Sequence, residues 1–264
     1  MVTKIEILDK KKLKNPILLV GLPGIGLVGK ITVDYLVQEL KPSPTLYAKV
    51  VSDSFPPAVH TTKSIIELIC DEIYLYSTKN QDILFLVGPV QPPIINAINS
   101  NLHYEFAKSI SDFCKKLNVK KIYTFAGLNI GEKRINTKPK TIVVCTDEVT
   151  KKELQATGIK NISFYEKDDD SLISGVAGLL PGVAYYLYNI QGACLMGETD
   201  SRLQLGDHSS AKEVLDVALK LLNLKIDLGK IEKNAKKIED SFTQIVDKLK
   251  EMDEKEAAPS HYIR

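Results

Sequence analysis

Residues 15–32 read NPILLVGLPGIGLVGKIT. An apolar run, a glycine-rich turn and a helical pattern follow one another without interruption. A strand feeding a helix through such a turn is the building unit of α/β folds. The same rhythm recurs along the chain, with strand-like runs at 16–20, 82–87, 121–126, 141–145 and 193–196. Helical patterns lie between and after them, at 25–40, 96–117, 147–157, 172–188 and 210–222. TLYAKVVSD (45–53) and SIIELICDEIYLYST (64–78) add a meander or hairpin, so the expected sheet is mixed, with helices on both faces.

The glycine segment fits two phosphate-binding patterns at once. Gly24, Gly26 and Gly29 match GxGxxG, and Gly24, Gly29 and Lys30 match GxxxxGK. A triphosphate loop needs a hydroxyl directly after its lysine to hold magnesium. Here that place is Ile31, and Thr32 comes one residue late, about 100° further round a helix. The dinucleotide pattern has a candidate ribose-binding acid in Asp53, about 20 residues on. Against both stands the apolar character of Leu22, Ile25, Leu27 and Val28. Packing of the turn against protein is therefore the preferred reading, and phosphate or nucleotide binding by Gly24, Gly26, Gly29, Lys30 and Asp53 is the alternative. Gly21, Gly88 and Gly127 each follow an apolar run, where they either border a ligand crevice or simply permit a turn.

The 264 residues are 44% hydrophobic and carry a net charge of only +2. Lys and Arg are dispersed, so the electrostatic footprint of a nucleic-acid binder is missing. Cys70, Cys114, Cys145 and Cys194 show no ligand spacing and read as small hydrophobes in a reducing, cytoplasmic setting. Residues 171–197 contain no charge, yet Gly175, Gly178, Pro181, Gly182 and Gly192 divide them into a helix and a strand expected inside the core rather than a membrane span. His60, His103, His208 and His261 form no metal-binding motif, and no GxSxG occurs. Glu198, Asp200, Asp207 and His208 gather near 198–208, but Ser210 and Glu213 make a capping box there, so a helix start is expected instead of a metal site. No catalytic set, metal or cofactor is expected.

Leu228, Ile231, Ala235, Ile238, Phe242, Ile245, Leu249 and Met252 alternate three- and four-residue steps behind a cap at Asp227. This seam suits association between subunits, with Ile231, Ile238, Phe242, Ile245 and Leu249 as its contacts. Packing back on the chain's own core is the other option. The polar end, DEKEAAPSHYIR (253–264), has no periodicity. The expected organisation is a core at 1–224, a heptad helix at 225–253 and a tail at 254–264.

Five separated stretches, VGLPGIGLVGK (20–30), SFPP (54–57), AGLN (126–129), SGVAGLLPG (174–182) and LMGET (195–199), together resemble the proteasome assembly chaperone family, second-chaperone type, with its archaeal homologues. The resemblance implies a three-layer α/β/α sandwich similar to nucleoside phosphorylases, a C-terminal helical extension, homo-oligomer formation and no catalytic role. It also implies docking on proteasome α subunits through a C-terminal tripeptide with penultimate tyrosine. This chain ends HYIR, which puts Tyr262 third from the end and Ile263 in the penultimate place. Tyr262, Ile263 and Arg264 are the expected partner-binding residues. The functional expectation is an ATP-independent assembly chaperone or proteasome-interacting factor that works by protein contacts. The alternative is a small-molecule enzyme or nucleotide binder using residues 21–30.

Overall fold

The computed structural model describes residues 3–93, 100–165, 172–203 and 205–235, the side chains of residues 100, 135 and 136 excepted. Its centre is a nine-stranded mixed sheet. In chain order the strands are β1 (Lys4–Ile7), β2 (Ile17–Gly21), β3 (Thr45–Val51), β6 (Asp71–Ser77), β7 (Asp82–Val87), β8 (Lys121–Asn129), β9 (Thr141–Cys145), β10 (Ile162–Phe164) and β11 (Gln191–Thr199). Their spatial order is β1-β3-β6-β7-β2-β8-β11-β9-β10. The middle strands β7, β2, β8 and β11 are mutually parallel, while β6, β3 and β1 on one side and β9 on the other run antiparallel to their inner neighbours. Strands β4 (Val59–Thr62) and β5 (Ile65–Leu68) form a separate hairpin.

Strand β2 is buried along its whole length, as a parallel strand covered on both faces must be. Its side chains alternate. Ile17 and Leu19 join one apolar cluster with helices α1 (Val28–Glu39) and α5 (His208–Leu222), and Leu18 and Val20 join the other with α2 (Ser100–Lys116) and α4 (Val176–Tyr188). The sandwich therefore has three layers, as the sequence reading expected. In α2, Phe106, Ala107, Ile110, Phe113 and Cys114 fall on one helical face, and the helix ends with Lys115 and Lys116 in its last turn. Helix α3 (Glu148–Ala156) is capped by Asp147, whose carboxylate accepts the Thr150 N–H at 2.8 Å.

Helix α4 carries Pro181 in its interior, where the missing N–H leaves the Ala177 carbonyl without its helical donor. The Thr124 hydroxyl of β8 supplies the replacement, donating to that carbonyl from the sheet beneath. The pair anchors α4 to the centre of the fold. Strands β1 and β10 at the two edges are additions to the expected elements, and β8 and β11 run three residues past the apolar runs that announced them.

Candidate functional site

Strand β2 ends at Gly21, and the chain passes through a 3-10 turn at Ile25–Leu27 into α1. Gly26 has φ 58°, a conformation that favours glycine. A Cβ there would lie 2.4 Å from Thr199 Oγ1, and one on Gly29 would lie 2.0 Å from the Phe125 carbonyl oxygen. Gly127 completes the contact from the other side, its Cβ position falling 2.1 Å from the Ile25 carbonyl oxygen. Main chain of the turn is thus pressed against main chain of β8, and the Gly26 carbonyl accepts the Asp207 N–H at 2.7 Å. Gly24 differs. Its backbone is extended (φ −157°), and the nearest atom to a Cβ there is Gln91 Nε2 at 4.0 Å.

The remaining members of the phosphate patterns are not assembled around this turn. Lys30 Nζ sits 2.7 Å from Asp34 Oδ2 on the next helical turn. Thr32, one place late for magnesium, donates its hydroxyl to the Val28 and Ala211 carbonyls and so fastens α1 to α5. Asp53 follows β3, which is separated from β2 by β6 and β7, so three strand spacings of about 4.8 Å each stand between the two strands.

The acidic stretch at 198–208 is also drawn apart. Asp207, not Ser210, caps α5: its carboxylate accepts the Ser210 N–H at 2.9 Å and takes a two-pronged ion pair from Arg134, with Nε at 2.8 Å and Nη2 at 2.9 Å. The expected capping box is corrected accordingly. Thr199 donates a fourth bond to the same carboxylate. Both charged partners are almost wholly buried, which makes this pair a fixed joint between the 3-10 helix at Gly131–Asn136 and α5. Asp200 is held by Arg202, whose hydrogen bonds keep its carboxyl below the usual range, and Glu198 accepts the Lys140 N–H. His208 packs edge-on against Tyr35, and burial lowers its pKa despite the neighbouring Asp207. Among the described residues no group of three or more His, Cys, Asp or Glu is placed to hold a metal ion. Burial pushes the Cys194 and Cys145 thiols up to about 11, with Thr124 opposing it at Cys194. Arg134 gave no sequence signal, because a single arginine in a polar loop says nothing of a partner 73 positions away.

A cavity of about 850 Å³ opens between the carboxyl ends of β2 and β8 and the first turn of α4. Gly24, Ile25, Phe125, Gly127, Val176 and Met196 are among its walls. Gln91 is a strut across one side, its amide donating to the Pro23 carbonyl and accepting the Val176 N–H at 3.1 Å. Of the three glycines expected at strand ends, Gly127 borders this cavity, although it lies inside β8. Gly88 instead gives room to the buried carboxylate of Asp71, which a Cβ there would strike at 1.7 Å.

Two surfaces are apolar and exposed. On the hairpin, every residue of β4 and β5 is exposed, including Val59, Ile65, Ile66 (71%) and Leu68. On α4, Tyr186 is 87% exposed, and Leu172 just before the helix is 98% exposed. The uncharged stretch at 171–197 is therefore only partly interior: β11 is buried, but one face of α4 is not, which corrects the expectation of full burial. No helix among the described residues is long and apolar enough to cross a membrane.

A further helical stretch begins at residue 229, whose N-cap place falls to Leu228; Asp227, expected as the cap, sits one residue ahead and accepts the Gly229 N–H at 2.9 Å. Ile231 is fully buried in the chain's own core on the α1/α5 side, and Ala235 is nearly so. Asn234 donates to the Tyr35 hydroxyl and Lys230 pairs with Glu39, closing the helix start onto α1. Ile231, expected at a subunit contact, is occupied within the chain because the seam's first turn faces the sandwich. Ile238, Phe242, Ile245 and Leu249 of the seam, and Tyr262, Ile263 and Arg264 of the tail, lie outside the described residues.

An uncharacterized protein of Methanocaldococcus jannaschii is 31% identical over 250 residues, covering 94% of this chain and 88% of that protein. The structure of Pyrococcus furiosus PbaB, described as an archaeal proteasome activator, superposes with a TM-score of 0.82 at 29% identity, covering 92% of this chain and 98% of PbaB. Pyrococcus furiosus PbaA, described as an archaeal homolog of proteasome-assembly chaperone, gives 0.70 at 25% identity over 97% and 96% of the two chains. The sequence model described as the PAC2 family matches residues 18–246, and the chain belongs to that family.

Proposed function

We propose that this chain is a proteasome-interacting assembly chaperone, acting as a homo-oligomer through protein contacts and without ATP. The observation that carries the reading is the likeness to PbaB and PbaA over nearly the full length of all three chains. The local geometry is in keeping with it. The glycine segment is given over to packing at Gly26 and Gly29, and the Lys30 ammonium is engaged by Asp34. The exposed apolar hairpin β4–β5 offers a surface for self-association, since an isolated two-stranded ribbon is marginal in water. The proteasome α subunits are the proposed partner, reached by the helix after Asp227 and by Tyr262, Ile263 and Arg264, in a cytoplasmic setting.

A second reading has its own support: the superposition on PbaB, described as an activator, is closer than that on PbaA. Deletion of residues 253–264 separates the parts of the proposal. Co-purification with proteasome α subunits should weaken, and unchanged binding removes the tail from the mechanism. Peptide hydrolysis by mature proteasomes, with and without the full chain, then distinguishes activation from assembly.

A further inference from the structure

The three glycines of GxGxxG are not equivalent. Gly29 is required by its close approach to the Phe125 backbone, and Gly26 by the Thr199 side chain against it and by its torsion angle. Neither reason applies at Gly24, whose extended backbone any residue adopts and whose Cβ position has no atom nearer than 4.0 Å. What a side chain there would enter is the cavity at the strand ends. We propose that this cavity is a binding site for an uncharged, predominantly apolar small molecule.

Its volume of about 850 Å³ lies in the range of small-molecule pockets, and its position outside the carboxyl ends of parallel strands is where α/β sheets hold ligands. Among the described lining residues none is Asp, Glu, Lys, Arg or His. Several polar side chains in the walls are already spent on the protein itself. The Gln91 amide bridges Pro23 and Val176, and the Asn129 carbonyl oxygen accepts the N–H groups of Gly131 and Ser201. Leu22, Ile25, Leu128, Val144, Ile173 and Met196 are among its apolar walls. Ile173 also lines a second depression between α2 and α4, with Tyr104, Lys108, Leu179 and Tyr186.

The site is separate from the proposed proteasome contacts and does not depend on them. The test is a fluorescence titration of the full chain with N-phenyl-1-naphthylamine, a neutral apolar dye. Saturable binding is expected, and Gly24→Leu should weaken it at least about tenfold, the scale of discrimination by one or two buried methylenes. Tyr186→Ser, on the outer groove, should leave the affinity unchanged. Circular dichroism verifies that each variant is folded. If Gly24→Leu does not fold, Ser174→Phe at the rim serves as the blocking variant with the same expectation. Binding that survives the blocking variant in a folded protein, or that Tyr186→Ser abolishes, overturns the proposal. A signal that falls as protein concentration rises at a fixed dye ratio assigns the cavity to a second copy of the chain, and overturns it as well.

Discussion

Adding one methyl group at Gly29 drives a carbon into the Phe125 carbonyl of β8, whereas the same group at Gly24 comes no nearer to any atom than 4.0 Å, to Gln91 Nε2. Gly29→Ala should therefore destabilise the fold by about 1–3 kcal/mol, as overpacking does. Gly24→Ala should be close to neutral in the same denaturant titration. The pattern in the sequence showed that glycines mattered, but not which contact each one serves, because that depends on β8 and β11, more than ninety residues away. Asp71 was equally silent. It lies fully buried beside Gly88, neither carboxylate oxygen has a well-aligned hydrogen-bond partner among the described residues, and burial raises its pKa well above 3.8. The Val90 N–H and the Lys30 charge oppose that shift without cancelling it. A folded pKa above the unfolded one means that the fold retains a proton the unfolded chain releases. Its stability then declines as pH rises from about 3.8 towards the folded value. Asp71→Asn should accordingly raise the melting temperature at neutral pH, and the gain should vanish near pH 3, where the carboxyl is protonated in both states.

Helix α4 and its proline illustrate what periodicity could and could not reveal. Composition marked 172–188 as a helix rich in small residues, and the structure starts it at Val176, after Gly175 at φ 82°. The Ala177 carbonyl freed by Pro181 finds its donor in Thr124, a residue that read only as part of an apolar strand. Thr124→Val keeps the shape but leaves that carbonyl unpaired. A loss of about 1–3 kcal/mol is expected, the usual cost of an unsatisfied buried group, and thermal unfolding measures it. The central strands were legible because continuous apolar runs identify strands covered on both faces. Edge strands β1 and β10 were not, since short, half-exposed segments carry little pattern. The heptad seam was legible as a stripe but not as to its partner. An apolar face looks the same whether it meets another subunit or, as at Ile231, the chain's own sandwich.

Across the whole molecule, a three-layer sandwich with a buried ion-paired joint at Arg134–Asp207 carries two exposed apolar surfaces, the β4–β5 hairpin and the outer face of α4. The fold and family were readable from five dispersed motifs, whose agreement in order outweighs any single glycine pattern. The cavity was not, since its walls come from segments far apart in the chain. The central claim is that this chain works by binding proteasome components as an oligomer. Native mass measurement of the full chain, alone and mixed with proteasome α subunits, tests it most directly. The account predicts a defined homo-oligomer alone and a new species of fixed stoichiometry in the mixture; a monomer in both samples, with the α subunits unshifted, would contradict it.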